Sequence, residues 1–104
     1  MIARIWHGRT PAEKADKYLS FLKKRAIPDY KGVEGCQEVY LMHRIEEDIA
    51  HFQTLTFWDS EDSIRNFAGE NVLKAKYYPE DKNFLLEFEE LVRQYEVFKA
   101  NNSY

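Results

Sequence analysis

Four stretches of the chain are rich in β-branched and aromatic residues, and they predict β-strands at residues 2–7, 36–45, 49–58 and 91–98. Only a short acidic turn separates the two middle stretches, so they predict a hairpin. Successive side chains of a strand point to opposite faces. The first strand therefore has His7 on the face opposite Trp6.

Both faces of the predicted hairpin carry apolar side chains. Val39, Leu41 and Ile45 share one face of its first arm, whereas Tyr40 and Met42 lie on the other. An antiparallel sheet with one face in water alternates apolar and polar residues more cleanly than this. Both faces of the sheet are therefore expected to be covered.

Helical spacing replaces the strand pattern after residue 9. Residues 10–13 have the sequence Thr-Pro-Ala-Glu, which is typical of a capping box with proline at the first helical position. Pro28 is expected to end this helix, and residues 28–35 are expected to form a loop at the mouth of a pocket. Apolar residues at helical spacing predict its buried stripe: Ala15, Tyr18, Leu19, Leu22 and Ala26.

A second helix is predicted directly after the hairpin. Asp59 or Ser60 is its N-cap, acidic residues occupy its first turn, and Gly69 fits a left-handed C-cap. A further short helix is predicted at residues 72–77. Residues 84–90 fit either a helical turn or extended chain.

The predicted order of elements is strand, helix, strand, strand, helix, strand. This is the split βαβ arrangement of ferredoxin-like α+β folds, in which a four-stranded antiparallel sheet carries both helices on one face. No predicted element covers the second face, although Tyr40 and Met42 make it apolar. The same face of a second copy would cover it, so a homodimer is expected.

Composition and charge limit the fold and the partners further. A chain of 104 residues with 44% apolar residues fits one domain, expected at residues 1–99, with a polar tail at residues 100–104. The net charge is −3 and the basic residues form no block, so nucleic acid is not an expected partner. With neither a signal-peptide pattern nor a long apolar run, the protein is expected to be cytoplasmic and not to enter membranes.

Aromatic residues are unusually frequent in this chain. They make up 15% of the chain, more than a domain of this size needs to fill its core. Some are therefore expected to line a cavity or a partner surface.

Several segments together resemble the antibiotic biosynthesis monooxygenase family, a member of the dimeric α+β barrel superfamily. They are the opening IARIWHGR, the segment TLTFWDSEDSIRNFAG, the run KAKYYPED and the closing LVRQYEVF. The similarity covers nearly the whole chain in order. It implies a ferredoxin-like protomer that forms a barrel with a second protomer and has a pocket between its sheet and its helices.

Family members differ in their chemistry. Some oxygenate aromatic polyketides or quinols without metal or flavin, whereas others degrade haem. The asparagine, tryptophan and histidine of the haem-degrading members fall on His7, Phe67 and Tyr77 in this chain. A haem ligand at Tyr77 would be a phenolate instead of an imidazole, so haem is not the expected substrate, and neither a metal nor a cofactor is expected.

For an oxygenating member, the resemblance implies a set of pocket residues. His7 and Tyr77 are the implied catalytic residues, with His7 as the base that removes a phenolic proton. His7 is then expected to face the helices, where the family pocket lies. The implied substrate contacts are Trp6, Trp58, Phe67 and Tyr78.

Each of these residues also has a structural interpretation. A lone histidine at a strand end is more often structural than catalytic, and packing alone would explain Trp58. Tyr77 and Tyr78 would equally suit a closed core below the second helix.

Other candidate groups lack the companions that their chemistry needs. His43 and His51 lie in opposite hairpin arms, but no third residue with metal-ligand spacing accompanies them. Cys36 is the single cysteine, which excludes an internal disulfide, and it has no basic cluster to activate it. The acidic residues between 87 and 90 are typical of a solvated face.

Two functions are compatible with the sequence. The first is cofactor-independent oxygenation of a small aromatic or quinol-type molecule. The second is a non-catalytic protein, such as a stress-response protein, that holds an apolar small molecule in the same pocket. A titratable group facing the cavity would favour the enzyme, and a purely apolar cavity would favour the binding protein.

Overall fold

The computed structural model describes residues 1–100, which form the predicted α+β fold around one antiparallel sheet. Its strands are β1 (Ile2–Pro11), β2 (Cys36–Glu46), β3 (Ile49–Trp58) and β4 (Arg93–Glu96), in the order β2-β3-β1-β4. This is the strand order of a split βαβ domain. Every pair of neighbouring strands in the sheet is antiparallel. Most of the predicted tail, residues 101–104, lies outside the described residues.

The helices pack on one face of the sheet, as predicted. The first helical region comprises a 3-10 turn (Ala12–Lys14), α1 (Ala15–Phe21), a π-helical turn (Leu22–Ala26) and α2 (Ile27–Lys31), and α3 (Glu61–Ala68) follows the hairpin. Buried residues of these segments form a single core cluster with the sheet. No helix within residues 1–100 is long and apolar enough to cross a membrane.

The start of the first helical region differs from the prediction. β1 continues through Gly8 to Pro11, beyond the strand predicted at residues 2–7, so the predicted capping box at residues 10–13 is wrong. The hydroxyl of Thr10 donates to the Pro11 carbonyl at 3.0 Å and caps no helix. A Cβ at Gly8 would lie 2.6 Å from the Trp6 ring, so this glycine makes room for an indole and does not form a turn.

Pro28 does not end the helix, contrary to the prediction. It lies in the first turn of α2, where a missing N–H breaks no helical hydrogen bond. Just before it, the Ile27 N–H donates to the Leu22 carbonyl, which is the wider spacing of a π-helix. The predicted loop shrinks to a turn at residues 32–35, where Gly35 has a φ of 96°.

The hairpin and α3 follow the prediction closely. β2 and β3 flank a tight turn in which Glu47 has a φ of 57°. Ser60 is the N-cap of α3, since its hydroxyl oxygen accepts the Ser63 N–H at 3.3 Å. Gly69 follows the last turn with a φ of 96°, a conformation that favours glycine.

Residues 72–77 form no helix, so that prediction is wrong. Their backbone groups bond to distant parts of the chain: the Ala75 N–H donates to the Glu90 carbonyl at 2.9 Å, and the Val92 N–H donates to the Leu73 carbonyl at 2.7 Å. These bonds satisfy the peptide groups that a helix would pair internally. A 3-10 helix follows at Pro79–Asn83.

The C-terminal region is also less regular than predicted. Residues 84–90 contain neither helix nor strand, and β4 is limited to Arg93–Glu96, within the strand predicted at residues 91–98. The Leu86 N–H still bonds to the Arg9 carbonyl at 2.9 Å. The chain therefore follows the edge of β1 before it joins the sheet.

Strand pairing assigns each side chain to one of two faces. We call the face that packs on the helices the helix face, and it carries Arg4, Trp6, Thr10, Phe52, Thr54, Thr56 and Trp58. We call the other the open face, because no helix of residues 1–100 packs on it. Paired positions place these residues there: Ala3, Ile5, His7, Arg9, Tyr40, Met42, Arg44, His51, Gln53, Leu55, Phe57 and Tyr95.

Candidate functional site

An aromatic cavity lies between the helix face and the helices, where the pocket was predicted. Its volume is about 10 Å³, which is space for a single water molecule. Three of the predicted site residues, Trp6, Phe67 and Tyr78, line it. Its full lining consists of Trp6, Tyr18, Leu22, Ala26, Tyr30, Thr54, Phe67, Lys76, Tyr78 and Asp81.

The walls of this cavity come from separate elements that are locked by packing. Phe67 of α3 stacks on Tyr30 of α2, with ring centroids 4.5 Å apart. The Tyr30 hydroxyl shares a hydrogen bond of 3.0 Å with the Thr54 hydroxyl of β3. The π-helical turn contributes Leu22 and Ala26, and such turns are frequent at functional sites.

Trp6, which lines the cavity, carries an unpaired polar group. Its indole N–H is buried and has no hydrogen-bond partner within residues 1–100. A buried donor without an acceptor costs about 1–3 kcal/mol. A water or a ligand oxygen that accepted this hydrogen bond would remove that cost.

Asp81 places a carboxyl group in the same wall. The residue is 1% exposed, and its Oδ1 accepts the Tyr18 hydroxyl at 2.8 Å while its Oδ2 accepts the Tyr78 N–H at 2.7 Å. Burial raises the pKa of Asp81, and these two hydrogen bonds only partly oppose that rise. Asp81 is therefore a stronger base than an exposed aspartate.

Sequence reasoning missed Asp81, although a local signal was present. Residues 78–81 have the sequence Tyr-Pro-Glu-Asp, in which proline begins a helical turn and an acid stands at its third position. That position suits a carboxylate that accepts the N–H of the N-cap residue, as Asp81 does for Tyr78. The inward direction of the carboxyl group depends on Tyr18, which is distant in sequence.

The tyrosines around Asp81 are held in their protonated form. Burial is the main cause that raises the pKa of Tyr18, Tyr30 and Tyr78. Tyr78 donates its hydroxyl to Asp29 at 2.6 Å. These groups act as hydrogen-bond donors at neutral pH.

Two side chains separate the cavity from solvent. Lys76 and Tyr78 are half-buried, whereas the other lining residues are buried. The Lys76 ammonium lies 4.3 Å from the centroid of the Phe67 ring, in the position of a cation–π contact. Access to the cavity therefore depends on these two side chains.

His7 lies on the open face, so the prediction that it faces the helices is wrong. It does point away from Trp6, as strand alternation predicts, but the helices cover the face of Trp6. The His7 Nδ1 pairs with the Glu89 carboxylate, and its Nε2 lies 3.4 Å from the Nδ1 of His51. His7 is therefore not near the aromatic cavity.

Tyr77 and Trp58 do not line the cavity; they pack against residues that do. The Tyr77 ring packs edge-on against Trp6 with centroids 6.1 Å apart, and its hydroxyl donates to the Glu89 carbonyl at 2.6 Å. Burial raises the pKa of Tyr77 to about 12. Trp58 is fully buried, and its indole donates to the Thr56 hydroxyl at 2.8 Å. Both residues position their neighbours.

The open face has its own clefts beside His7. One, of about 300 Å³, lies along the hairpin and includes Met42, His51 and Gln53 in its lining. The other, of about 290 Å³, lies towards β4 and includes Glu89 and Tyr95. His43 and His51 lie in opposite hairpin arms but belong to opposite faces, because His43 pairs with Phe52 and stacks on its ring.

Comparison with known proteins leaves the family open. No protein-family model matches the chain, and no curated protein matches it with significant similarity.

Proposed function

We propose that the protein is a cofactor-independent monooxygenase of a small aromatic or quinol-type molecule, with the cavity between sheet and helices as its substrate site. The observation that carries this proposal is the buried carboxyl group of Asp81 within a wall of aromatic rings. Removal of a phenolic or benzylic proton away from bulk water needs such a group. The sequence resemblance to the antibiotic biosynthesis monooxygenase family supports the same reaction.

In this proposal Asp81 is the general base, in place of His7. Its carboxylate removes a proton from a CH₂ group that is conjugated with a phenol ring, and Tyr18 holds the carboxylate in position. The resulting carbanion gives one electron to O₂, and the two radicals join through a C–O bond. The peroxide anion takes the proton back from Asp81. The resulting hydroperoxide loses water, together with the remaining C–H hydrogen, and leaves a carbonyl group, so O₂ is the only oxidant and no reductant is consumed.

Substrate entry requires the cavity to open. Sites for small molecules usually occupy about 300–1,000 Å³, far more than the present cavity of about 10 Å³. Lys76 and Tyr78 are the lining residues in contact with solvent. Rotation of these two side chains is the proposed opening step, and the substrate oxygen then accepts the free Trp6 indole N–H.

Oxygen uptake with an anthrone as probe tests the proposed base. Asp81→Asn keeps the size of the side chain but removes its basicity, and it is expected to lower kcat by about 10²–10⁴ with a smaller effect on KM. His7→Ala is the matched control and is expected to leave turnover unchanged, because His7 lies on the opposite face. Unchanged turnover in Asp81→Asn, or a loss in His7→Ala, would contradict the assignment.

The same assay separates the enzyme from the binding protein. A set of anthrones, naphthols and hydroquinones is titrated against tryptophan fluorescence, since Trp6 lies in the cavity wall. Binding without oxygen uptake by any member of the set would favour the non-catalytic function. Binding with uptake that depends on Asp81 supports the oxygenase.

We also propose that a second copy of the chain covers the open face. Tyr40 is 48% exposed and Met42 is 40% exposed there, with Leu55 and Phe57 beside them. An obligate dimer of this kind buries about 2,000 Å² or more in total. This contact would complete the α+β barrel that the resemblance implies.

Sedimentation tests the dimer. The wild-type protein is expected at twice the chain mass of 12.4 kDa, and Met42→Lys is expected to shift it to the monomer, because a buried unpaired charge is costly. Ile45→Lys is the control, since Ile45 is exposed on the same strand but belongs to the other face. A wild-type monomer at micromolar concentration would refute the proposal.

A further inference from the structure

Lys76 stands at the entrance of the aromatic cavity. It lines the cavity and is half-buried, and its ammonium lies 4.3 Å from the centroid of the Phe67 ring. None of the ion pairs within residues 1–100 includes it. Asp81 lines the same cavity, but its two carboxylate oxygens are bonded to Tyr18 and Tyr78. The proposed proton transfer therefore leaves the charge of Lys76 unused.

A second cation lies against the same aromatic ring. The Arg4 guanidinium carbon is 5.5 Å from the centroid of the Phe67 ring, and Arg4 is 1% exposed. It donates to the backbone carbonyl of Lys74 at 3.0 Å, and it forms no ion pair within residues 1–100. Buried charges are usually paired with an opposite charge. Two cations without an ion pair in the described part of the chain therefore surround one wall of the cavity, which favours an anionic ligand.

Charged neighbours of Tyr78 at the entrance have contacts of their own. The Arg25 guanidinium carbon lies 4.9 Å from the centroid of the Tyr78 ring and pairs with Glu80 at 3.7 Å. Asp29 accepts the Tyr78 hydroxyl at 2.6 Å. These contacts leave the Lys76 ammonium available to a ligand.

From these contacts we infer that Lys76 determines specificity by binding a carboxylate on the ring system of the substrate. An ammonium and a carboxylate form a charge-assisted hydrogen bond, which is about twice as strong as a neutral one. This pairing would replace the contact of Lys76 with the Phe67 ring. The substrate class is therefore an aromatic or quinol-type acid instead of a neutral ring. The reaction of such an acid rests on the proposed function, but its binding by Lys76 does not.

The positions of Lys76 and Asp81 give the substrate one orientation. Asp81 is 1% exposed in the cavity wall, whereas Lys76 is half-buried at the entrance. A carboxylate next to Asp81 would be repelled and would lose its hydration, which is costly for a charge. Its place is therefore the entrance, where Lys76 pairs with it and solvent still reaches it. The CH₂ group that loses its proton is then held inside, towards Asp81.

Calorimetric titration with two matched ligands tests this assignment. The probes 6-hydroxy-2-naphthoate and 6-hydroxy-2-naphthamide have the same ring and nearly the same size, but only the acid is charged. The wild-type protein is expected to bind the acid about ten-fold or more tightly than the amide, and this ratio is expected to fall as salt is added. Equal affinity for the two ligands, or no binding of either, would overturn the inference. This comparison needs no variant, so it is independent of folding defects.

Variants at two lysines locate the charge that is responsible. Lys76→Met is expected to abolish the preference for the acid without weakening the binding of the amide, and Lys76→Arg is expected to retain the preference. Lys74→Met is the matched control, because Lys74 is exposed and does not line the cavity. A preference that survives in Lys76→Met, or that is lost equally in Lys74→Met, would overturn the assignment to Lys76.

Oxygen uptake separates this inference from the proposed reaction. With a carboxylated anthrone as substrate, Lys76→Met is expected to raise KM with little change in kcat, because the ion pair holds the substrate and the transition state alike. A preference for the acid without oxygen uptake would refute the oxygenase and support the carboxylate site. Oxygen uptake without a preference for the acid would do the reverse.

Discussion

The two faces of the sheet hold their polar groups in opposite ways. On the helix face, Asp81 and Tyr18 are buried, bonded to each other and packed around a cavity of about 10 Å³. On the open face, His7 and Glu89 are partly exposed, with side-chain exposures of 29% and 41%, beside clefts of about 300 Å³. Adjacent residues of β1, Trp6 and His7, belong to these two environments. Neighbours in a strand therefore cannot share one site.

The largest expected difference between the faces is in packing. Phe52 is fully buried on the helix face and Gln53 follows it on the open face. Phe52→Ala is expected to lower the free energy of unfolding by about 3–5 kcal/mol through lost burial and a new cavity. Gln53→Ala is expected to change it by about 0.5 kcal/mol. Urea unfolding of both variants measures this, and equal losses would refute the assignment of the faces.

The second-largest expected effect is a loss of stability at alkaline pH, caused by the buried tyrosines that pack on the helix face. The unfolded-state pKa of tyrosine is about 10, whereas burial raises the folded-state pKa of Tyr18, Tyr30 and Tyr78 and raises that of Tyr77 to about 12. The unfolded chain therefore loses these protons first, so stability is full below pH of about 10 and falls as the pH rises above it.

Tyrosinate absorbance and circular dichroism, recorded together during alkaline titration, test this expectation. The helix-face tyrosines are expected to ionise together with loss of the fold. Their ionisation at pH of about 10 in a chain that stays folded would show that they are exposed.

The smallest expected difference concerns single polar pairs. Tyr18→Phe removes the donor to the buried Asp81 and is expected to cost about 1–3 kcal/mol of unfolding free energy. Glu87→Gln weakens the part-exposed pair with Arg9 on the open face and is expected to cost about 0–1 kcal/mol. Chemical denaturation at neutral pH measures the unfolding free energy of both variants. A larger loss of stability in Glu87→Gln than in Tyr18→Phe would contradict the expected difference between the faces.

The fold was predictable from sequence because strand and helix periods differ and the order of elements allows few topologies. The pairing of the hairpin arms, the cap at Ser60 and the buried stripe of the first helical region depend on local signals, and they are confirmed except for Leu19, which is half-buried. The segment at residues 72–77 was not predictable, since its backbone partners are Glu90, Val92 and Arg4, which lie far away in sequence.

The candidate site was predictable only in part. The alternation of side chains along a strand correctly places His7 and Trp6 on opposite faces of the sheet. Both faces of β1 contain apolar residues, however, so the pattern does not tell which face the helices cover. Asp81 and Glu89 were missed because each acts through a partner more than 60 residues away, Tyr18 and His7 respectively. Contacts of that range are set by tertiary packing.

Arg4 limits what the aromatic cavity can admit. Its buried guanidinium donates to the Lys74 carbonyl at 3.0 Å, and the adjacent Ala75 is bonded to Glu90, so the chain is anchored on one side of Lys76. Asp81 anchors it on the other side through Tyr78. The entrance can therefore widen by side-chain rotation but not by a swinging loop. Under the proposed function, the guest is therefore limited to what rotation of the Lys76 and Tyr78 side chains admits.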